Sequence, residues 1–293
     1  MRLIVLGSTG MLGSEVARVS RAAGIDLIEV SRTQDIQFDA TSDSFEDLAS
    51  LLSLGEADYL VNCIGWIPQK ASGSISDDRQ QAWLLNTDLP RQINDAVLKH
   101  GFKWIQIGTD CVFSGETGGY TESSKKDALD LYGVSKIEGE KLSSQAMLIR
   151  SSIIGPDNRT RAGLYSWFKG ELAARRAVTG FSNHLWNGVS TTAFARLAIG
   201  LSKSGRTKPF TAHWVPADSK SKREILELFA KHLGAPHDFV VAGNAPSYLD
   251  RTLETNDPSL NNELWKLAGY AAPPTIEELV AELVAVDQSK EVN

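Results

Sequence analysis

An α/β fold, a doubly wound parallel sheet carrying a smaller α+β lobe, is predicted by three observations. Short, mainly apolar runs at 2–6, 27–30, 59–62, 104–107 and 146–150 have the length and hydrophobicity of strands buried on both faces. Helical patterns over 11–23, 44–53, 78–99 and 128–144 alternate with them, and such alternation builds parallel sheets through crossover helices. After Arg150 the order loosens into glycine, proline and aromatic punctuation, as expected of chain leaving the sheet.

The first strand runs straight into Gly7-Ser8-Thr9-Gly10-Met11-Leu12-Gly13, which opens the first helix. Glycines there permit a tight turn and close backbone approach to a pyrophosphate, and the helix start supplies free N–H groups and partial positive charge. The spacing is Gly-x-x-Gly-x-x-Gly, not the commoner Gly-x-Gly-x-x-Gly. Its place at the first strand-to-helix turn nonetheless predicts a dinucleotide site of Rossmann type. The second strand ends in Val30-Ser31-Arg32, where an acid would bond a ribose and an arginine accommodates the extra phosphate of NADP. Arg32, otherwise a solvated loop residue, therefore favours NADP(H) and leaves NAD(H) open; Glu29 sits earlier, facing away. Asp39 would border the adenine or cap the helix starting near Ser44.

Pro90 should kink or interrupt the third helix. Beyond Gly155-Pro156, the aromatic pair Trp167-Phe168 and the run Asn183-His184-Leu185-Trp186-Asn187-Gly188 read as a second lobe. A helix over 191–203, a strand over 210–215, a helix over 220–233 and two C-terminal helices complete the chain, with polar residues 287–293 frayed. The expected division is a cofactor domain over 1–155, completed by 187–212, and a substrate lobe from 156–186 and 213–293.

Composition excludes several classes. Among 293 residues, 42% hydrophobic and 23% charged, the net charge of −6 and scattered Lys/Arg provide no footprint for nucleic acid. No apolar run approaches the roughly 20 residues needed to span a bilayer, so a cytoplasmic protein without membrane association is expected. Cys63 and Cys111 are too few and too poorly spaced for a disulfide framework or a cysteine metal site and are expected to be free.

Tyr132 and Lys136 lie four residues apart and would share one helix face. A cation beside a phenol favours the phenolate and lowers a pKa of about 10. Taken alone, such a pair decorates many helix surfaces; the neighbouring motifs decide its meaning. With the glycine turn come Asn62-Cys63-Ile64-Gly65, Leu85-Asn86-Thr87, Gly108-Thr109-Asp110-Cys111-Val112-Phe113-Ser114-Gly115, Tyr120-Thr121-Glu122, Tyr132-Gly133-Val134-Ser135-Lys136, Arg150-Ser151-Ser152 and Asp250-Arg251-Thr252-Leu253. Together these resemble the extended short-chain dehydrogenase/reductase family, and more closely its dTDP-4-dehydrorhamnose reductase-like branch, over nearly the whole chain.

The resemblance implies NADPH-dependent reduction of the ketone of a nucleotide-diphospho-4-keto-6-deoxysugar. Thr109 would hydrogen-bond the ketone, Tyr132 would protonate its oxygen, and Lys136 would lower the tyrosine pKa and bind the nicotinamide ribose. Cys63, Ile64 and Gly65 would join the glycine loop, Ser31, Arg32 and Asp39 in holding the cofactor. Asp110, Cys111, Val112, Phe113, Trp186, Asn187 and Arg251 would line the substrate, Arg251 through its diphosphate. Cys111 departs from the branch, which usually carries tyrosine there. Nucleotide-sugar 4,6-dehydratases carry glutamate, whereas GDP-fucose synthases have a cysteine that works with a lobe histidine in epimerisation. A combined epimerase and reductase, with Cys111 and His184 as the second acid–base pair, is therefore the alternative; the bland reading makes both packing residues. A catalytically silent NADP-binding regulatory subunit is the alternative of another class.

His213 is expected to pack; Trp66, Trp167 and Trp186 could wall a sugar or base pocket, although most of the seven tryptophans should be packing, and Arg175-Arg176 are weaker phosphate candidates than Arg251. Glu15 stands where some relatives supply a metal carboxylate at a dimer interface, but a first-turn acid already has a dipole role. No metal is therefore assigned, and a homodimer stays open.

Overall fold

The computed structural model describes residues 1–157 and 163–291. The first half contains β1 (Leu3–Leu6), α1 (Met11–Ala22), β2 (Leu27–Ser31), β3 (Ile36–Gln37), α2 (Phe45–Leu51), β4 (Tyr59–Asn62), α3 (Ile75–Trp83), α4 (Leu89–His100), β5 (Lys103–Gly108), α5 (Leu131–Lys141) and β6 (Met147–Arg150). Then follow β7 (Ile153–Ile154), α6 (Leu164–Ala173), β8 (Val178–Phe181), β9 (His184–Trp186), β10 (Val189–Ser190), α7 (Thr191–Ser204) and β11 (Phe210–His213). The chain ends with β12 (Lys220–Ser221), α8 (Lys222–Leu233), β13 (Val240–Gly243), β14 (Leu249–Asp250), α9 (Pro258–Leu267) and α10 (Ile276–Glu291).

Seven strands form a parallel sheet in the order β11-β6-β5-β4-β1-β2-β3. The doubly wound α/β class predicted from the alternation is thus the observed one. Burial on both faces explains the continuous apolar strands. Leu3 and Val5 of β1 pack with α1, α7 and α9 through Val16, Phe194 and Trp265, while Ile4 and Leu6 meet Phe45 and Leu89 of α2 and α4. Each fully buried aliphatic side chain contributes about 1.5–3 kcal/mol. A separate core of Tyr165, Phe168, Phe229, Ile276 and Leu283 fills the lobe. The winding reverses between β1 and β4, which opens a crevice beyond their carboxyl ends, where Gly7 and Cys63 follow.

Several boundaries differ from expectation for identifiable reasons. The helix expected over 78–99 is two helices joined by a π-helical turn at Leu84–Asp88, and Pro90 sits in the first turn of α4, where its missing N–H costs nothing. The helix expected over 128–144 is shorter because Asp130 caps it, accepting from Gly133 N at 2.8 Å. The helix expected over 220–233 gives up two residues to β12, which pairs antiparallel with β9; a Ser221–Glu224 capping box then starts α8. Residues 287–291, expected to fray, continue α10. Asp287 is buried and accepts hydrogen bonds from Tyr165 Oη at 2.9 Å and Lys169 Nζ at 2.7 Å, partners that local polarity does not reveal. The final two residues of that expected tail lie outside the described ones. Among the described residues no helix is long and apolar enough to cross a membrane.

Glu15 also differs, since it lies beyond the first turn of α1 and is only 3% exposed. Its carboxylate accepts from Arg18, from Thr192 Oγ1 at 2.7 Å and from Lys290 Nζ at 2.8 Å. Burial pushes its pKa up, but these donors outweigh burial and hold it at about 2. With an unfolded value near 4.5, this group contributes stability above that pH and loses it as pH falls toward 2, a change of about 3 kcal/mol. Urea unfolding between pH 6 and pH 3 should show a drop that Glu15→Gln makes smaller; an unchanged drop in the variant would locate the acid sensitivity elsewhere.

Candidate active site

The helix that carries Tyr132 and Lys136 is fixed by the π-helical turn before α4. Asn86 Nδ2 donates to Ser135 Oγ at 3.0 Å, and Thr87 Oγ1 donates to the Ser135 carbonyl at 2.9 Å. Gly139 permits the close approach, for a Cβ there would stand 1.9 Å from the Asn86 carbonyl oxygen. Asn86 Oδ1 also accepts from Trp66 N at 3.0 Å, so one amide ties α5 to the loop after β4. A cleft of about 660 Å³ results, with Gly10, Cys63, Thr109, Tyr132, Lys136 and Arg251 on its walls.

Thr109 follows β5 and begins a short 3-10 turn, its Oγ1 accepting from Cys111 N at 3.2 Å and donating to Asp110 Oδ1 at 3.1 Å. The Tyr132 phenol lines the same cleft close enough for this hydroxyl to act on its pKa. Burial pushes the phenol well above its usual range, reinforced by Cys111, Asp110 and Asp130 and only partly opposed by Thr109. This corrects the expectation of a phenol lowered by Lys136: desolvation wins, and the proton is held on Tyr132. Lys136 Nζ instead donates to the Ile107 carbonyl at 3.1 Å, and burial brings its pKa down to about 8 against the pull of Glu140 and Cys111. The arrangement can deliver a proton to an oxygen that gains negative charge near Thr109 and stabilise the phenolate left behind.

The Cys111 thiol is pushed up to about 12, chiefly by burial and then by Asp110, with Arg251 pulling the other way. It donates to Asp110 Oδ1 at 3.6 Å and accepts from Arg251 Nη1 at 3.5 Å. The structure does not bring His184 to it. That ring stands on β9 against Phe181 and donates Nε2–H to the Ser247 carbonyl at 3.1 Å, so the expected second acid–base pair is not assembled. Asn187 is likewise committed, clipping the Leu253 backbone at 2.7 and 2.8 Å. Val112 and Phe113 are fully buried in a cluster with Tyr120 and Leu253 and lie behind the cleft wall, not on it. Asp110, Cys111, Trp186 and Arg251 do reach the cleft, though Arg251 bonds the Phe113 carbonyl at 3.1 Å and lies 3.7 Å from Asp130.

Around the glycine turn, Gly10, Met11 and Leu12 line the cleft together with Cys63, Ile64 and Gly65. Gly7 adopts φ +84°, and a Cβ on Gly13 would stand 2.1 Å from the Gly7 carbonyl oxygen, so these two glycines serve the turn itself. Ser8 is buried against the Val30 carbonyl, and Thr9 completes the turn. Ser or Asp side chains cap α2, α3, α5, α7, α8 and α9, yet α1 starts after Gly10 with no side-chain cap and no acid in its first turn. Its free N–H groups open toward the cleft, the donor set a pyrophosphate needs. At the end of β2, Ser31 is buried and bonds Thr33 N at 3.2 Å, and Arg32 is exposed. Glu29 is paired with Arg21. Asp39 closes a turn on Thr41 at 2.7 and 3.0 Å, and Ser31, Arg32 and Asp39 all lie outside the cleft lining.

Trp66 lines the cleft as well, whereas Trp167 is 39% exposed on α6 and Arg176 is paired with Glu171. His213, expected to pack, is fully buried as a hydrogen-bond hub: its Nδ1–H meets the Tyr120 and Glu254 carbonyls, and Nε2 accepts from Arg150 at 3.1 Å. Sequence reasoning missed Lys222, which lines the cleft with Nζ 5.3 Å from the Trp186 ring centroid. Its only sequence signal is a cation at the start of a helix, where the dipole disfavours it.

The family model described as RmlD substrate binding domain matches residues 1–288. The "Probable low-salt glycan biosynthesis reductase Agl14" of Haloferax volcanii is 26% identical over 220 residues, 69% of this chain and 72% of that protein. A dTDP-4-dehydrorhamnose reductase of Mycobacterium tuberculosis is 26% identical over 145 residues, 48% of this chain and 44% of its own length, so this match spans less than half of the relative. Among solved structures, dTDP-4-dehydrorhamnose reductase of Bacillus anthracis in complex with NADP superposes with a TM-score of 0.80 at 18% identity, covering 97% of this chain and 99% of that one. UDP-glucuronic acid 4-epimerase of Bacillus cereus, in complex with NAD, superposes at 0.74 with 13% identity over 100% and 99% of the two chains.

Proposed function

Because the chain belongs to the family of the RmlD substrate binding domain, we propose that it is an NADPH-dependent oxidoreductase reducing the ketone of a nucleotide-diphospho-4-keto-6-deoxysugar. The observation that carries this reading is the convergence of Thr109, Tyr132 and Lys136 on one cleft that begins at the uncapped start of α1. The cofactor, when bound, supplies hydride to the carbonyl carbon. Residues 1–155 with 187–212 hold it, and 156–186 with 213–293 hold the sugar nucleotide. Met11 and Leu12 offer backbone N–H groups to its pyrophosphate, and Cys63, Ile64 and Gly65 line the same cleft.

On the substrate side, Tyr132 donates to the ketone oxygen, and Thr109 joins it when its one hydroxyl hydrogen turns from Asp110 to that oxygen. As negative charge builds there, the Tyr132 proton moves from Oη to that oxygen, and the Lys136 ammonium stabilises the phenolate. The high pKa that burial imposes suits an acid that must arrive protonated. Epimerisation would need a partner for Cys111, and the residue first in line for that role, His184, is bound to Ser247. Arg251 and Asp110 then act as substrate contacts around Cys111.

Purified protein should oxidise NADPH with at least one nucleotide 4-keto-6-deoxysugar from a panel of dTDP, UDP and GDP substrates. Failure with every one would sink the reductase reading. Arg32 carries the cofactor preference: Arg32→Ala should raise KM for NADPH roughly tenfold and leave KM for NADH unchanged, as expected for loss of a charge-assisted phosphate contact. Equal effects on both cofactors would remove Arg32 from the site.

A further inference from the structure

We propose that Lys222 and Asp110 form a donor–acceptor pair that grips one hydroxyl of the sugar ring beside the reacting ketone. The assignment rests on the reading of this cleft as a nucleotide-sugar site. Lys222 is the first residue of α8, where outward-pointing N–H dipoles oppose a cation, and the Ser221–Glu224 capping box already starts that helix without it. Its side chain nevertheless lies along the cleft wall, above a buried Trp186 whose indole N–H has no partner among the described residues. Among those residues the ammonium has neither a carboxylate at ion-pair distance nor a hydrogen-bond acceptor. Burial lowers its pKa, while Asp110 and Cys111 raise it again, so both groups stand within electrostatic range of Nζ.

Asp110 presents the complementary deficiency. It is 7% exposed, and its Oδ1 accepts from Thr109 Oγ1 and Cys111 Sγ. Its Oδ2 receives no protein donor among the described residues. A cation lacking an acceptor and a carboxylate oxygen lacking a donor thus border one cleft. A hydroxyl answers both, since it donates one hydrogen and accepts through its lone pairs. A carboxylate would suit Lys222 but be repelled by Asp110, and a methyl group would leave both polar groups desolvated and unpaired. Because Asp110 bonds Thr109, the residue assigned to the ketone, the proposed place for the gripped hydroxyl is a carbon next to that ketone.

The test is binding, read without turnover. Calorimetry on NADP-loaded protein compares dTDP-, UDP- and GDP-glucose, each with its own nucleoside diphosphate, and the ratio of affinities measures the sugar's contribution. Wild type should bind at least one sugar nucleotide about tenfold tighter than its parent diphosphate. Lys222→Met should collapse that ratio toward one and leave the parent within twofold, Lys222→Arg should keep most of it, and Asp110→Asn combined with Lys222→Met should lose nothing further. If Lys222→Met does not fold, Lys222→Gln serves in its place. A ratio unchanged by the substitution, absent in wild type, or accompanied by equal weakening of the parent diphosphate would overturn the assignment. Absence of ketone reduction alongside a Lys222-dependent ratio would defeat the reductase reading and leave the sugar grip standing.

Discussion

Tyr132→Phe lowers kcat by about 10²- to 10⁴-fold, equivalent to roughly 3–5 kcal/mol of transition-state stabilisation, while NADPH affinity stays within about twofold. The expected split follows from position. The phenol shares the cleft with Thr109, the proposed ketone site, whereas the proposed phosphate contacts are at the start of α1. KM for the sugar nucleotide should change little, because the proton transfer exists only in the transition state. Stopped-flow NADPH oxidation with separate cofactor titration measures both. A variant that keeps full activity would restore the regulatory-subunit reading.

Arg150→Met is the substitution with the largest expected effect on stability, a loss of about 3–5 kcal/mol. Arg150 and Glu140 have side chains only 4% exposed each and form a two-pronged pair at 2.9 and 2.8 Å. Lys126 adds a third contact to Glu140 at 2.8 Å, and His213 Nε2 accepts from Arg150 Nη1 at 3.1 Å. Burial pushes the Glu140 pKa up, yet Arg150 and Lys126 hold it below its ordinary value. Without Arg150 the carboxylate is stranded beside Lys126 alone. The sign of the pH effect follows: in wild type this group stabilises above the unfolded pKa and loses its contribution as pH falls. The gap between wild type and variant should therefore narrow in acid, where Glu140 becomes neutral. Glu140→Gln in the Arg150→Met background should recover part of the loss. Denaturant unfolding at pH 7 and pH 4 reads all three, and a gap that widens in acid would contradict the account.

Much of the fold was legible because both faces of the sheet are buried, which writes each strand as a continuous apolar run such as Leu3-Ile4-Val5-Leu6. The ketone end of the site was legible for a different reason: Thr109, Tyr132 and Lys136 lie on elements whose local motifs place them, a strand end and one helix face. The lobe resisted reading because its contacts join distant segments. Asn187 is taken by Leu253, and His184 by Ser247, pairings more than 60 residues apart that periodicity cannot encode. Phe113 looked exposed to substrate because it follows Thr109 closely, but it stacks on Tyr120 at 4.4 Å. Lys222 escaped notice because a helix-start lysine resembles any surface residue until the cleft is seen.

The helix α10 gives the cleft a mechanical character. Its apolar residues Val280 and Leu283 belong to the lobe core, while Lys290, near its end, bonds Glu15 on α1, the helix whose first residues line the cleft. One rod therefore bridges the outer side of both walls. Such a brace resists hinge-like opening, so access for a bulky ligand should come from side-chain rearrangement around Trp66 and Arg251 before any swing of the lobe. Shortening the chain before Lys290 would release one anchor and loosen a cleft that it never touches.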